Sequence, residues 1–92
     1  MSTIEKRIHV YKAFRTMGLD FREDPSGFIY ADHDQLRVWF PEEDPGVIRV
    51  TFEKDVDAGY AGDMAIRFEW PLQLAGFIIV VDAGYFEPTH QV

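Results

Sequence analysis

The chain has 92 residues, 47% hydrophobic and 15% aromatic, with sixteen Asp and Glu against nine Lys and Arg for a net charge of -7. That composition excludes a disordered chain, and the lack of cysteine excludes disulfides, thiolate nucleophiles and cysteine-based zinc sites. The longest apolar stretch, 75–81, falls far short of the roughly 20 residues that a membrane-spanning helix needs.

One domain is expected over 1–92, cytoplasmic, with a helix to residue 19, an antiparallel sheet over 27–86 and a loose tail over 87–92. Residues 1–22 carry five basic side chains against two acidic ones, a net of +3; residues 23–92 carry four against fourteen, a net of -10. A basic helix is therefore expected ahead of a strongly acidic body.

The helix is predicted from Ile4, Ile8, Tyr11, Phe14 and Met17, which recur at steps of three and four. Ser2 and Glu5 are spaced as a capping box, and Gly18 with Leu19 forms a left-handed stop. Glu5, Lys6, His9, Lys12 and Arg15 are assigned mostly to the polar side.

Beyond residue 27 the period becomes two. Gly27 to Ala31 reads as a strand, Asp32 to Gln35 as its turn, and Leu36, Val38 and Phe40 as the next strand. Pro41 to Gly46 is an acidic loop, and Ile48, Val50 and Phe52 mark a third strand. Residues 54–63 read as loop. Met64, Ile66, Phe68 and Trp70 alternate with Ala65, Arg67 and Glu69 as a fourth strand that Pro71 ends, and a fifth runs from Phe77 to Asp82.

These elements predict an α+β fold: an N-terminal helix packed on an antiparallel meander of four to five strands, in two layers. The face away from the helix is expected to be mixed, with Arg37, Arg49 and Arg67 beside Trp39, Val47, Ile78 and Val80. Trp39 on an open face calls for burial by curling of the sheet or by a second molecule, and a homodimer through this face is one expectation. Val56 to Tyr60 repeats as Val81 to Tyr85, read as two strand-exit turns.

No constellation points to catalysis, so no enzymatic role, metal or cofactor is expected. Asp32, His33 and Asp34 sit together but gain no further ligand from spacing. Asp55, Asp57, Gly59 and Asp63 partly match a calcium loop, but the glycine falls one place early and Ile66 stands where the closing glutamate belongs. His9, His33 and His90 lack a nucleophile held in reach, and Ser2 and Ser26 serve a cap and a turn.

Surface chemistry carries the functional expectation. Glu42, Glu43 and Asp44 project from one loop and Asp55, Asp57 and Asp63 from another, with Trp39, Tyr60 and Tyr85 as aromatic anchors. Such an anionic rim suits docking on a Lys/Arg-rich protein surface and opposes direct binding to nucleic acid or an anionic membrane.

In length, acidity and lack of cysteine the chain resembles phage-encoded inhibitors such as anti-CRISPR proteins. That resemblance implies a non-catalytic mimic of nucleic acid that blocks the basic channel of a larger complex. The chain is also similar to secretion-type chaperones, which are small, acidic and dimeric, hold an extended client, and begin with a helix before a strand meander. Those chaperones carry a second helix between their third and fourth strands, where residues 54–63 here read as loop. A small enzyme or ligand-binding domain on a curved sheet is the third reading, and it requires a concave pocket.

Overall fold

The computed structural model describes the backbone of residues 3–86 and the side chains of residues 4–82. The element order is α1 (Thr3–Met17), β1 (Phe21–Glu23), β2 (Ile29–Ala31), β3 (Leu36–Trp39), β4 (Val47–Glu53), α2 (Ala58–Leu74) and β5 (Ile78–Phe86). The Ser2 half of the expected capping box, the tail from 87 and the Tyr85 side chain lie outside the described residues.

The five strands form one sheet in the order β1-β2-β3-β4-β5. The first three pairings are antiparallel, but β5 pairs with β4 in parallel. The expected all-antiparallel sheet is thus corrected to a mixed one, because a helix, not a tight turn, joins its last two strands. The sheet also begins at Phe21, in a short strand the alternation pattern is too brief to reveal.

The larger correction is α2. Residues 58–74, read from sequence as loop, strand and break, are one helix. Ala61, Met64, Ala65, Phe68, Leu72 and Ala75 follow helical spacing, and Met64, Phe68 and Leu72 are its buried residues. Ile66, Trp70 and Leu74 form a second stripe, offset by two positions and exposed. Two stripes of period four, offset by two, generate the alternation that imitates a strand.

Both helices end in the same way. Leu19 N–H donates to Phe14 O at 3.0 Å and Gly18 N–H to Arg15 O at 3.1 Å. After α2, Phe77 N–H donates to Leu72 O at 3.0 Å and Gly76 N–H to Gln73 O at 3.0 Å. Gly18 and Gly76 hold the positive φ of 74° and 95° that this paired capping requires.

One core joins α1 and α2 to one side of the sheet. Val10 and Phe14 from α1 and Phe68 and Leu72 from α2 pack with Leu36, Val38, Ile48 and Val50. Phe14 and Phe68 stack at 4.9 Å between ring centroids, locking helix to helix. Burying each such side chain contributes about 1.5–3 kcal/mol. Lys6 belongs to this interior and not to a basic surface: it is 1% exposed, and its Nζ donates to Val47 O at 3.0 Å and Asp44 O at 3.2 Å. Desolvation pulls its pKa below the usual lysine value, opposed by the nearby Asp44 charge.

The opposite face of the sheet is covered in part by its own side chains, with Ile78 left 62% exposed at its margin. One row across four strands reads Arg22, Tyr30, Arg37, Thr51, and the next includes Trp39, Arg49 and Val80. The Arg22 guanidinium lies 4.4 Å from the Tyr30 ring centroid, Arg37 4.6 Å from Phe28, and Arg49 5.5 Å from Trp39. Tyr30 is left only 6% exposed. Arg67, expected on this face, is on α2 instead.

Candidate functional site

The turn between β2 and β3 is the most constrained stretch of backbone among the described residues. Asp32, His33 and Asp34 occupy the left-handed region in succession, with φ of 54°, 59° and 61°. Each such residue costs roughly 1–2 kcal/mol, and Asp and His are among the types that tolerate it best. Neighbouring elements hold the turn: Asp32 N–H donates to Asp20 O at 2.9 Å, and Glu53 N–H donates to Gln35 O at 2.8 Å.

Its two carboxylates go to separate partners. Asp34 accepts from Arg22, with the closest contact at 2.8 Å. Asp32 accepts a short hydrogen bond from the Tyr60 hydroxyl, which reaches across from the first turn of α2. Burial, that hydrogen bond and the Asp32 charge push the Tyr60 phenol well above its ordinary pKa. His33 is exposed between them. Among the described residues no group of three or more His, Asp or Glu side chains is arranged to hold a metal ion.

Around this turn lies an acidic end of the molecule. The chain enters β1 from Asp20, leaves β4 at Glu53, passes Asp55, and starts α2 at Asp57. Asp57 caps α2, accepting from Tyr60 N–H at 3.1 Å. The helix N-terminus also supplies partial positive charge that steadies the carboxylates around it. Asp20, Asp32, Asp34, Glu53, Asp55 and Asp57 thus gather from three connections, α1–β1, β2–β3 and β4–α2. Asp63, one turn into α2, pairs with Arg67 at 3.5 Å on an exposed surface.

The other expected acidic group is elsewhere. Glu42, Glu43 and Asp44 occupy the β3–β4 connection, at the far end of β4 from Asp55. Seven residues of strand separate the two groups, roughly 20 Å. Trp39 is nearer the Glu42 end, where it lines a 270 Å³ hollow with Arg7, Phe28, Phe40 and Glu42. Its indole N–H donates to Asp82 at 3.3 Å, and Asp82 also accepts from Thr51 at 2.9 Å and from Arg49. Of the three aromatic anchors, Tyr60 belongs to the acidic end and Trp39 does not. Tyr85 is placed only by its backbone, opposite Phe52.

The repeated pentapeptide takes two structures. In the first copy Asp57 caps a helix and Ala58 to Tyr60 form its first turn; the second copy lies inside β5. The reading of both as strand-exit turns is corrected. The first is followed by residues at helical spacing, and the second lies along β4, where Val81 opposes Val50 and Tyr85 opposes Phe52 across an irregularity.

A hollow of 170 Å³ beside the strained turn is lined by Asp20, Phe21, Arg22, Tyr30, His33 and Asp34. Ligand sites typically enclose about 300–1,000 Å³, so this one admits only a small group. A wider concavity, 440 Å³, is the groove between the helices, lined by Ala13, Thr16, Met17, Ile66, Arg67, Trp70 and Pro71. Sequence reasoning missed this surface because it assigned Ile66 and Trp70 to a strand. The Leu-Gln-Leu-Ala-Gly-Phe run over 72–77, which matches the apolar-to-Gly-to-apolar ending of α1, was the signal available for α2.

Comparison with protein-family models, with curated proteins and with solved structures gives no match to this chain. No helix of the described residues is long and apolar enough to cross a membrane.

Proposed function

We propose that this protein is a non-catalytic binding module whose acidic end docks on a Lys/Arg-rich surface of a larger complex, occluding a path that nucleic acid would otherwise take. The observation that carries this reading is the convergence of Asp20, Asp32, Asp34, Glu53, Asp55 and Asp57 from three connections onto one end. Carboxylates spread over a rigid end imitate a run of phosphates, and such a field speeds association and selects partners by sign. The rigidity comes from the bonds tying the strained turn to β1, β4 and α2. In keeping with the inhibitor resemblance, the protein acts by occupation and not by turnover.

An immobilised oligolysine peptide tests the electrostatic part. Binding is expected to weaken with salt, and Asp20→Asn with Asp55→Asn to lower affinity tenfold or more. Glu42→Gln with Glu43→Gln, at the other end, is expected to change it less than threefold. Equal losses from both pairs would remove the acidic end as the docking site, and no loss from either would refute the reading.

A second reading, the dimeric secretion-type chaperone, gains support from α2. The second helix that this resemblance calls for is present, although it follows four strands and not three. Protection of an unfolded apolar client from aggregation at stoichiometric ratio is the test, and absence of protection would exclude it.

A further inference from the structure

We infer that two copies of this chain associate about a two-fold axis through Trp70, with the exposed ridges of their α2 helices packed antiparallel. Ile66, Trp70 and Leu74 are 72%, 66% and 71% exposed. Together they present on the order of 400 Å² of apolar surface, about half of the roughly 800 Å² that each partner buries in a standard interface. The adjoining groove, lined by Ala13, Thr16, Met17, Arg67 and Pro71, supplies further lining and a receptor for a protruding side chain. A patch of this size on a helix whose other apolar stripe already fills the core has no role in the fold of one copy.

The spacing identifies the occupant as a second copy. Ile66 and Leu74 each stand four residues from Trp70. A two-fold axis at Trp70 therefore sets Trp70 against its equivalent and Ile66 against the other copy's Leu74 on both sides, a self-complementary contact of the kind two-fold dimers require. The three ridge residues are uncharged, and Asp63, one turn before Ile66 on the same face, is paired with Arg67 at 3.5 Å.

Charge selects the antiparallel arrangement. Asp57, at the start of α2, is thirteen residues from Trp70, so antiparallel helices at 1.5 Å per residue hold the two acidic ends about 40 Å apart, several Debye lengths at physiological salt. Parallel packing would set them side by side. This contact is independent of the docking surface proposed above and leaves the acidic end of each copy open.

Sedimentation velocity on the full chain from 1 to 200 µM tests the proposal. A reversible dimer is expected, with Trp70→Glu raising its dissociation constant at least tenfold while the far-ultraviolet circular dichroism stays unchanged. Leu74→Glu, at the other end of the ridge, is expected to do the same and serves if Trp70→Glu fails to fold. With no native cysteine, Ile66→Cys combined with Leu74→Cys is expected to give a disulfide-linked dimer on mild oxidation, and neither single variant is. A monomer across the whole range would overturn the inference, as would a dimer indifferent to both glutamates. A dimer that the double-cysteine variant fails to trap would overturn the antiparallel geometry.

Discussion

Thr51 on β4 donates its hydroxyl to the Asp82 carboxylate on β5 at 2.9 Å, across the one parallel strand pair among the described residues. Asp82 also receives the Trp39 indole and the Arg49 guanidinium, so one carboxylate ties three strands together on the outer face of the sheet. The aromatic that looked out of place on an open face is held there by its polar edge.

Asp82→Ala is expected to cost about 2–3 kcal/mol, because a buried hydroxyl, an indole N–H and a guanidinium all lose their acceptor. Thr51→Val removes one donor and is expected to cost about 1 kcal/mol. Urea denaturation with unchanged m-values reads both. Equal midpoints for Asp82→Ala and the parent chain would show that the network does not stabilise the fold.

Lys6→Ala is expected to destabilise by about 2–3 kcal/mol at neutral pH, since it strips the ammonium from Val47 O and Asp44 O and leaves a void beneath Phe40. The native pKa of Lys6 is lowered, so as pH approaches the ordinary lysine value the unfolded chain holds the proton more tightly. Stability from this group therefore rises with pH in that window, and the rise should be missing in Lys6→Ala.

Tyr60 acts in the opposite sense. Its native pKa is raised, so the hydrogen bond to Asp32 contributes fully below the ordinary tyrosine pKa of 10 and is lost as pH climbs beyond it. Tyr60→Phe is expected to cost about 1 kcal/mol at neutral pH and to flatten the alkaline fall in stability. Phenolate absorbance is expected to show Tyr60 among the last tyrosines to ionise. An ordinary titration in the folded protein would contradict the pairing.

Gly76→Ala probes the end of α2. No atom would crowd the added methyl, so the penalty is that of a left-handed backbone alone, about 1 kcal/mol or a Tm decrease of roughly 4–8 °C. Asp57→Ala, at the other end of the same helix, is expected to cost a similar amount through loss of the cap. If residues 58–74 were strand and loop, neither change would reduce helicity.

How much of this was legible in sequence depends on whether one surface or two shaped the pattern. α1 closes on Gly18 and Leu19, so its helical period and its stop read directly. Its buried face, however, is Lys6, Val10, Ala13 and Phe14, and Ile4 and Ile8, expected on that face, are 69% and 47% exposed. In β3, buried Leu36 and Val38 alternate with Arg37 and Trp39 because one side faces the core, whereas β2 is buried at every position and β4 at all but Arg49 and Glu53. α2 carries two apolar stripes, one for the core and one exposed, and their sum has the period of a strand. Identical Val-Asp-Ala-Gly-Tyr segments then adopt helix and strand, which local sequence cannot distinguish. The two acidic groups flank a strand that the alternation places correctly, so their separation was legible, but the gathering of Asp20, Asp32 and Asp34 beside Asp55 depended on the order of strands in the sheet.

The crossover from β4 to β5 also sets an order of assembly. Strands β1 to β4 join neighbours in sequence, so a chain emerging from the ribosome can pair them as it appears. β5 must wait until the intervening helix has been made and laid over the core. Until then one flank of β4, bearing Val47, Ile48 and Val50, stays uncovered. Synthesis of the last third of this polypeptide is thus the interval in which it is most open to mispairing.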